Sequence, residues 1–217
     1  MRQIRIRSCK LRCMTVRDHI QPIKEPAWEI ARLFPLQGEW SEDDYLNLPD
    51  NSRIELVNGR LVFIPMPTIS HQIIIAFLYR LLSAYLIETQ PEALVLFTSV
   101  PVRLAKDLMR EPDILVVLKG LASQKEDKFV ERPDMVIEVL SPSNRENDLI
   151  DKRVEYAVAK IPEYWIVDPL GKTMTVLTLR KGQYREHGVF AAGTNATSKL
   201  LPGFAVNVDD LWRSVAR

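Results

Sequence analysis

The order of apolar and polar residues along the chain predicts a mixture of short strands and longer helices. Residues 53–57 and 60–64 each combine apolar residues with one or two charged ones, and they lie on either side of Asn58-Gly59, a dipeptide typical of tight β-hairpin turns. Residues 113–118 and 135–140 are almost wholly apolar, as central strands covered on both faces are. We therefore expect an antiparallel hairpin followed by a buried sheet.

Helices are predicted at three places. Ser41 precedes three acids, which suit the positive end of a short helix. Ser70 begins an apolar segment that reaches about residue 89. The third helix is predicted to start at Asn147 or Asp148 and to end near residue 160, because the residue before Pro162 disfavours helical backbone.

The remaining apolar segments complete the predicted fold. Further strands are expected at residues 94–104 with an interruption at Pro101, and at 164–167, 173–179 and 184–189. The polar residues 119–132 are expected to form an exposed loop. Together these elements predict an α/β protein, a three-layer sandwich with a mixed central β-sheet flanked by helices.

Composition and charge set limits on the class of protein. The 217 residues, 47% hydrophobic and 26% charged, suit an ordinary globular chain. Residues 1–20 carry six Lys or Arg and one acid, so the rest of the chain has a net charge of −4, against +1 overall. A protein that coats nucleic acid is normally more basic. The composition therefore disfavours that class but allows an enzyme with a local basic patch.

The N-terminal segment differs from the rest. Residues 1–40 are basic and then proline-containing without sustained periodicity, and are expected to form a tail and an approach segment, partly disordered. Residues 41–217 are predicted to form a single domain. The first thirteen residues contain no hydrophobic signal segment, and Met14 is an alternative natural start.

Cellular location is predicted from cysteine content and hydropathy. Cys9 and Cys13 are the only cysteines, too few for a four-cysteine zinc site or a disulfide framework. A reducing cytoplasm is therefore expected. The most apolar segment, residues 73–87, is shorter than a membrane span requires, so we interpret it as a buried helix and expect no membrane partner.

Two acids interrupt the apolar strands, where an unpaired charge costs several kcal/mol. Asp113 begins one strand and Glu138 lies inside the other. If these strands are neighbours, the acids repel each other unless a cation lies between them. Mg²⁺ fits such a pair, because it accepts one or two carboxylates and keeps waters for a phosphate substrate.

The same residues resemble a known family. Pro112-Asp113 followed by Glu138-Val139-Leu140 is similar to the PD-(D/E)XK nuclease motif. From about Ser41 to Leu211 the chain resembles the bacterial Uma family of restriction endonucleases. The segments that carry this resemblance are residues 55–59, His71, 111–113, 138–143, Lys152, Tyr156 and 162–169.

The resemblance implies a restriction-endonuclease-like fold and metal-assisted hydrolysis of phosphodiester bonds in DNA. Asp113, Glu138 and the backbone carbonyl of Val139 would hold one or two Mg²⁺ ions, with Mn²⁺ as a substitute. Cleavage of both strands of a duplex requires two such sites. A homodimer is therefore expected.

The chain departs from the superfamily pattern at Leu140, which stands where a catalytic lysine is expected. Lys152 is the candidate substitute, since a helix packed over the sheet would direct it at the same cleft, with Tyr156 one turn further on. By resemblance, Lys152 stabilises charge on the phosphate and Glu55 assists from outside the metal ligands. His71 and Tyr156 are possible accessory residues.

Structural roles are the alternatives for the principal acids and the lysine. Asp113 could follow Pro112 as a strand-start residue bonded to loop amides. Glu138 could form a buried ion pair with Lys152 or Arg153, which without metal would describe an inactive nuclease fold. Lys152 could equally lie on a solvated helix face.

Similar alternatives exist for the accessory candidates. Glu55 precedes the tight hairpin and could pair only with Arg53 or Arg60. His71 could cap or pack at the start of its helix, and Tyr156 could belong to the core.

Three functional hypotheses are consistent with these residues. The first is a Mg²⁺-dependent endonuclease, and the second is a catalytically inactive nuclease-fold module that binds nucleic acid or protein. Whether Lys152 reaches the carboxylate pair distinguishes them. The third, a glycosidase with Asp113 and Glu138 as acid and base, is disfavoured because most Trp and Tyr lie within apolar segments rather than at an exposed sugar cleft.

Overall fold

The computed structural model describes residues 34–120, 127–142, 145 and 147–216, apart from the side chains of 147 and 148. These residues belong, from Leu36 onward, to one compact unit. The basic tail, both cysteines and Met14 lie outside the described residues. In chain order the elements are α1 (Glu42–Leu46), β1 (Ile54–Val57), β2 (Arg60–Phe63), α2 (Ile69–Thr89), β3 (Leu94–Phe97), β4 (Val102–Ala105), β5 (Leu108–Arg110), β6 (Ile114–Val117), β7 (Val130–Glu131), β8 (Met135–Val139), α3 (Lys152–Val158), β9 (Glu163–Asp168), β10 (Thr173–Arg180), β11 (Gln183–Phe190), β12 (Asn195–Thr197), β13 (Ala205–Asn207) and α4 (Val208–Val215).

A six-stranded mixed sheet forms the centre of the unit, with the strand order β11-β10-β9-β8-β6-β3. The β8–β9 pair is parallel, whereas β6 and β8 are antiparallel. Every residue of β6, β8 and β9 is buried, as expected of strands covered on both faces. The two predicted central strands are therefore hydrogen-bonded neighbours.

Helices cover both faces of this central sheet. Because side chains alternate along a strand, Ile114 and Ile137 face α2, whereas Leu115 and Val136 face α3. The α2 face is one apolar cluster that also includes α4. The predicted three-layer arrangement with a mixed central sheet is thus confirmed.

Helix α2 provides most of the apolar layer on its face. Thr68, rather than the predicted Ser70, caps it by accepting a hydrogen bond from the backbone N–H of His71. By length and hydropathy alone α2 would be able to cross a membrane. Its buried side chains belong to the apolar core: Ile74, Ile75, Leu78, Leu82 and Leu86.

A second, five-stranded sheet with the order β2-β1-β5-β4-β7 lies beside the first. It begins with the predicted hairpin, in which Asn58 and Gly59 both have positive φ angles, as a type I′ turn requires. Trp40, which the sequence assigned to the approach segment, is buried in the same cluster as Tyr45 and Leu56.

The structure corrects several predicted elements. The single strand at 94–104 is two strands, β3 and β4, which belong to different sheets. The short strands β5, β7, β12 and β13 and the helix α4 were not predicted. The third predicted helix begins as a π-helical turn, Asn147–Asp151, and continues as α3. Its π-helical start places Lys152 at the first position of α3.

Candidate active site

Strand register brings the two predicted acids together. Ile114 is paired with Ile137 in the β6–β8 ladder, so the next position places Asp113 opposite Glu138. Side chains directly opposite on antiparallel strands point to the same face, with Cβ atoms about 4.5–5.5 Å apart. Both residues line a single cleft of about 350 Å³, called here the acidic cleft, which Glu111 and Lys152 also line.

Asp113 is held by a strand amide and by a histidine. Its Oδ2 accepts a hydrogen bond from the backbone N–H of Val139 at 2.7 Å, and Nε2 of His71 lies 3.2 Å from the same oxygen. Burial by itself would lower the pKa of His71, but the adjacent Asp113 carboxylate outweighs burial and raises it. His71 is thus a partner of Asp113 and not only a residue of the first helix turn.

Glu138 receives two hydrogen bonds from α3. Oε1 of Glu138 accepts one from Nζ of Lys152 at 2.8 Å and one from the hydroxyl of Tyr156 at 2.6 Å. All three side chains are at least 96% buried. Burial, followed by the charge of Glu138, raises the pKa of the Tyr156 hydroxyl, so the hydroxyl remains a donor at neutral pH.

Glu55 extends this contact into a buried network. Nζ of Lys152 lies 3.3 Å from Oε1 of Glu55, and Nη1 of Arg110 donates to Oε2 of Glu55 at 2.8 Å. Burial alone would raise the pKa of Glu55, but Lys152 and Arg110 outweigh it and hold the pKa below its ordinary value. Lys152 therefore lies between two carboxylates, Glu138 and Glu55.

Arg110 is the second cation of the network. Its guanidinium donates two further hydrogen bonds to Glu155, at 2.7 and 2.8 Å, in the bidentate geometry typical of strong Arg–carboxylate pairs. Glu155 lies on α3 between Lys152 and Tyr156 in sequence. Arg110 thus connects the second sheet to the helix that carries the candidate lysine.

Glu111 is an acid of the cleft whose two carboxylate oxygens are not both hydrogen-bonded. Its Oε2 accepts a hydrogen bond from the backbone N–H of Arg53 at 3.1 Å, whereas its buried Oε1 has no hydrogen-bond partner among the described residues. Burial raises the pKa of Glu111 to about 7. The cleft therefore contains a carboxyl group that a further cation would stabilise in its charged form.

The structure places every predicted site residue around this cleft or within its network. The proposed structural role of Glu55 was wrong in its partners, because Glu55 pairs with Arg110 and Lys152 rather than with Arg53 or Arg60. Lys152 is buried and does not lie on a solvated helix face. Lys152 reaches the carboxylate pair through its ion pair with Glu138, as the catalytic interpretation requires. The same ion pair would also be present in an inactive module that kept the fold, so this contact by itself does not separate the two interpretations.

Sequence reasoning missed Arg110 and Glu155. A sequence signal existed for Glu155, since a helix that directs Lys152 and Tyr156 at the sheet places the intervening turn near the same cleft. No local signal identified Arg110, because β5 was not predicted and its partners are 45 and 55 residues away in the chain.

Carboxylate oxygens are the donors that a hard divalent cation prefers, and Asp113 and Glu138 offer such oxygens in one cleft. Among the described residues, no group of three or more His, Cys, Asp or Glu side chains is arranged to hold a metal ion. An ion here would have to be one that, like Mg²⁺, takes one or two carboxylates and otherwise waters. The unpartnered Oε1 of Glu111 indicates that the cleft can accept additional positive charge.

The lining of the cleft disfavours a sugar substrate. No Phe, Tyr or Trp is among the described residues that line it, whereas glycosidase clefts use such residues to stack sugar rings. Its lining also includes a set of apolar and proline residues: Pro65, Met66, Pro67, Pro169 and Leu170.

Three features together define a nuclease-fold protein. They are a mixed sheet with helices on both faces, two acids opposite each other at the end of central strands, and a lysine bound to one of these acids. The sequence model of the Uma2 family, described as "Putative restriction endonuclease", matches residues 42–209. The chain belongs to this family, and the resemblance stated from the sequence is confirmed. Membership supports a nuclease, a hydrolase of phosphodiester bonds.

A solved structure has the same fold. A crystal structure described as a putative nuclease belonging to DUF820 from Anabaena variabilis superposes with a TM-score of 0.68 at 19% sequence identity, covering 83% of this chain and 99% of that chain. This similarity confirms the restriction-endonuclease-like fold. No protein of curated function matches the chain.

Proposed function

We propose that this protein is a Mg²⁺-dependent endonuclease that hydrolyses phosphodiester bonds of DNA. The observation that carries the proposal is the arrangement of Asp113 and Glu138, opposite each other on β6 and β8 in one cleft with Lys152 bound to Glu138. Family membership supports the reaction class. The reaction adds one water across a P–O ester bond and releases a phosphate monoester and a hydroxyl.

Each residue of the site has a distinct part in this proposal. Asp113, Glu138 and the backbone carbonyl of Val139 would hold Mg²⁺, or Mn²⁺ as a substitute. When bound, the ion supplies positive charge at the phosphate and lowers the pKa of a water. Lys152 provides a fixed positive charge beside the phosphate, where charge develops as the ester bond breaks.

The buried network positions the lysine. Lys152 is held between Glu138 and Glu55, and Glu55 is in turn fixed by Arg110. A lysine held on both sides loses little freedom when substrate binds, which favours catalysis by preorganisation. Tyr156 fixes the orientation of Glu138 through its hydrogen bond.

The alternative is a nuclease-fold module that binds nucleic acid or protein without cleaving it. Leu140 in place of the strand lysine favours this alternative. The ion pair between Lys152 and Glu138 is compatible with it as well, because each charge neutralises the other.

The deciding experiment incubates the purified protein with supercoiled plasmid, single-stranded DNA and RNA, in Mg²⁺, Mn²⁺ or EDTA. Asp113→Asn and Glu138→Gln are compared with wild type on each substrate. We expect nicking of DNA that requires metal and is lost in both variants. Nicking that persists in both variants would come from a contaminant, and an inactive wild type that still binds DNA would support the alternative. The sizes of the products and the mass of the protein in solution test the expected homodimer.

A further inference from the structure

The acidic cleft has few cations available for a polyanion. Its basic lining residues are Arg53, His71 and Lys152. Lys152 is bound to two carboxylates and His71 to Asp113. The guanidinium of Arg53 donates to the backbone carbonyl of Ile64 and has no acidic partner among the described residues, so it is the one cation of this cleft left for a phosphate. Since neutralisation of several phosphates by Lys and Arg supplies most of the affinity of a protein for nucleic acid, further cations are needed from another surface.

A second cavity, of about 280 Å³, supplies such cations. We call it the basic cleft; it is lined by residues 103–106, 131, 132 and 158–160. Four of its residues are basic, Arg103, Lys106, Arg132 and Lys160, against one acid, Glu131.

The cations of the basic cleft differ in how far they are neutralised. Arg103 is paired with Glu42 at 3.0 Å and with Glu131 at 3.5 Å. Lys106, Arg132 and Lys160 are exposed, and none of them forms an ion pair with another residue of the described part of the chain. Three of the four basic residues that line the cavity therefore carry charge that no acid of the described residues neutralises.

The two clefts lie at opposite ends of α3, where this helix adjoins the second sheet. Lys152 begins α3 at the acidic cleft, and Lys160 follows its last turn at the basic cleft. Six helical steps at a rise of about 1.5 Å place the ends of α3 roughly 9 Å apart, and Lys160 follows two residues further on. This corresponds to about three base-pair steps of a duplex, at about 3.4 Å per step.

We propose that the basic cleft binds a backbone phosphate of the same nucleic acid whose ester bond lies in the acidic cleft. This inference rests on the proposed function and adds to it a phosphodiester-binding subsite formed by Lys106, Arg132 and Lys160. The subsite contributes affinity and positions the strand. It takes no part in the bond-breaking step.

Backbone conformation allows a well-matched test. Arg132 and Lys160 have φ angles of 52° and 62°, in the left-handed region that Asn adopts more readily than most residues. Arg132→Asn and Lys160→Asn therefore remove charge without strain. Lys181→Asn is the control, because Lys181 is also exposed, basic and left-handed, with φ 52°, but lines neither cleft.

The experiment measures binding of a fluorescent DNA duplex by anisotropy in EDTA, between about 50 and 200 mM salt. In parallel, KM and kcat are measured on the same duplex with Mg²⁺. The logarithm of the association constant falls as the logarithm of the salt concentration rises, and each lost phosphate contact should make this slope less steep by about 0.9. The same loss should weaken binding roughly eightfold near 0.1 M salt. The double variant Arg132→Asn/Lys160→Asn should therefore raise KM strongly and leave kcat within about twofold, whereas Lys181→Asn should resemble wild type.

The possible results distinguish failure of the subsite from failure of the proposed function. If the double variant binds and cleaves as the Lys181→Asn control does, the subsite is refuted while the proposed function stands. If kcat falls and KM is unchanged, the residues do not act as a binding subsite. A wild type that neither binds nor cleaves nucleic acid refutes both proposals. Single-stranded DNA and RNA probes show whether the subsite requires a duplex, and thermal unfolding verifies that both variants are folded.

Discussion

The two faces of the central sheet differ in the polarity of the side chains that they bury. The α2 face is formed mainly by apolar side chains such as Ile114, Ile137 and Leu82. Its one buried carboxylate among the described residues, Glu163, accepts hydrogen bonds from Trp165, Ser198 and two backbone N–H groups. The α3 face is apolar over much of its area, but at one end it buries Glu138, Lys152 and the connected network. Burial of apolar surface stabilises a fold without special geometry, whereas buried charges stabilise it only when each is paired. We infer that the α2 face provides stability and that the charged end of the α3 face is maintained for function.

The largest expected effect is the loss of cleavage in Asp113→Asn. This variant removes one of the two carboxylates of the cleft, and cleavage should fall at least about a thousandfold, or about 4 kcal/mol in barrier height. Stability should change by less than about 1.5 kcal/mol, since Asn retains an acceptor oxygen for the N–H of Val139. Plasmid nicking rates measure the loss of cleavage, and urea unfolding measures the change in stability. A large loss of stability with retained cleavage would mean that Asp113 serves the fold rather than the reaction, which contradicts the assignment of function to the charged end of the α3 face.

The next effect is on stability, in Arg110→Met. Glu55 and Glu155 both lose a buried cationic partner, which should cost about 3–5 kcal/mol in the free energy of unfolding. Arg103→Met is the control, because Arg103 is also paired with two acids but its side chain is 36% exposed. A surface pair of this kind contributes less than about 1 kcal/mol. Equal losses in the two variants would mean that burial of the network does not matter.

These two predictions also show what the sequence could and could not reveal. Asp113 and Glu138 were identifiable because an acid in an apolar strand is a local anomaly. Their proximity followed once the two strands were neighbours. Arg110 was not identifiable, because its role depends on β5 lying beside β1, a pairing between residues about 50 positions apart.

The fold shows the same division between local and distant information. The hairpin at Asn58-Gly59 and the helix α2 were predicted, because turn chemistry and a capped, continuous apolar segment are local signals. The strands β3 and β4 were merged into one, because only tertiary packing assigns them to different sheets. The orientation of Lys152 was expected from α3, but its second carboxylate partner, Glu55, came from the other sheet.

The apolar face can be tested with Leu82→Ala. Leu82 is fully buried in the α2 layer, so the substitution leaves a cavity and should destabilise the protein by about 3 kcal/mol. Cleavage per folded molecule should remain unchanged, since the apolar cluster that contains Leu82 includes none of the charged side chains of the candidate site. Ile87→Ala on the same helix is the control; Ile87 is 71% exposed and its loss should cost less than about 0.5 kcal/mol. Cleavage that falls in proportion to stability in Leu82→Ala, under conditions where the protein is folded, would contradict the separation of the two faces.

The smallest effect, and the finest test, compares two tyrosines on the α3 face. The Tyr156 hydroxyl donates to Glu138, whereas the Tyr184 hydroxyl donates to the backbone carbonyl of Ile161 at 2.9 Å. Tyr156→Phe and Tyr184→Phe each remove one buried hydrogen bond and should cost about 1–2 kcal/mol in stability. Tyr156→Phe should also lower cleavage about tenfold, because Glu138 is a proposed metal ligand and residues that orient such a ligand typically affect activity by this amount or more. If both variants lose stability equally and neither loses activity, Tyr156 is a core residue, and its contact with Glu138 stabilises the fold without serving the reaction.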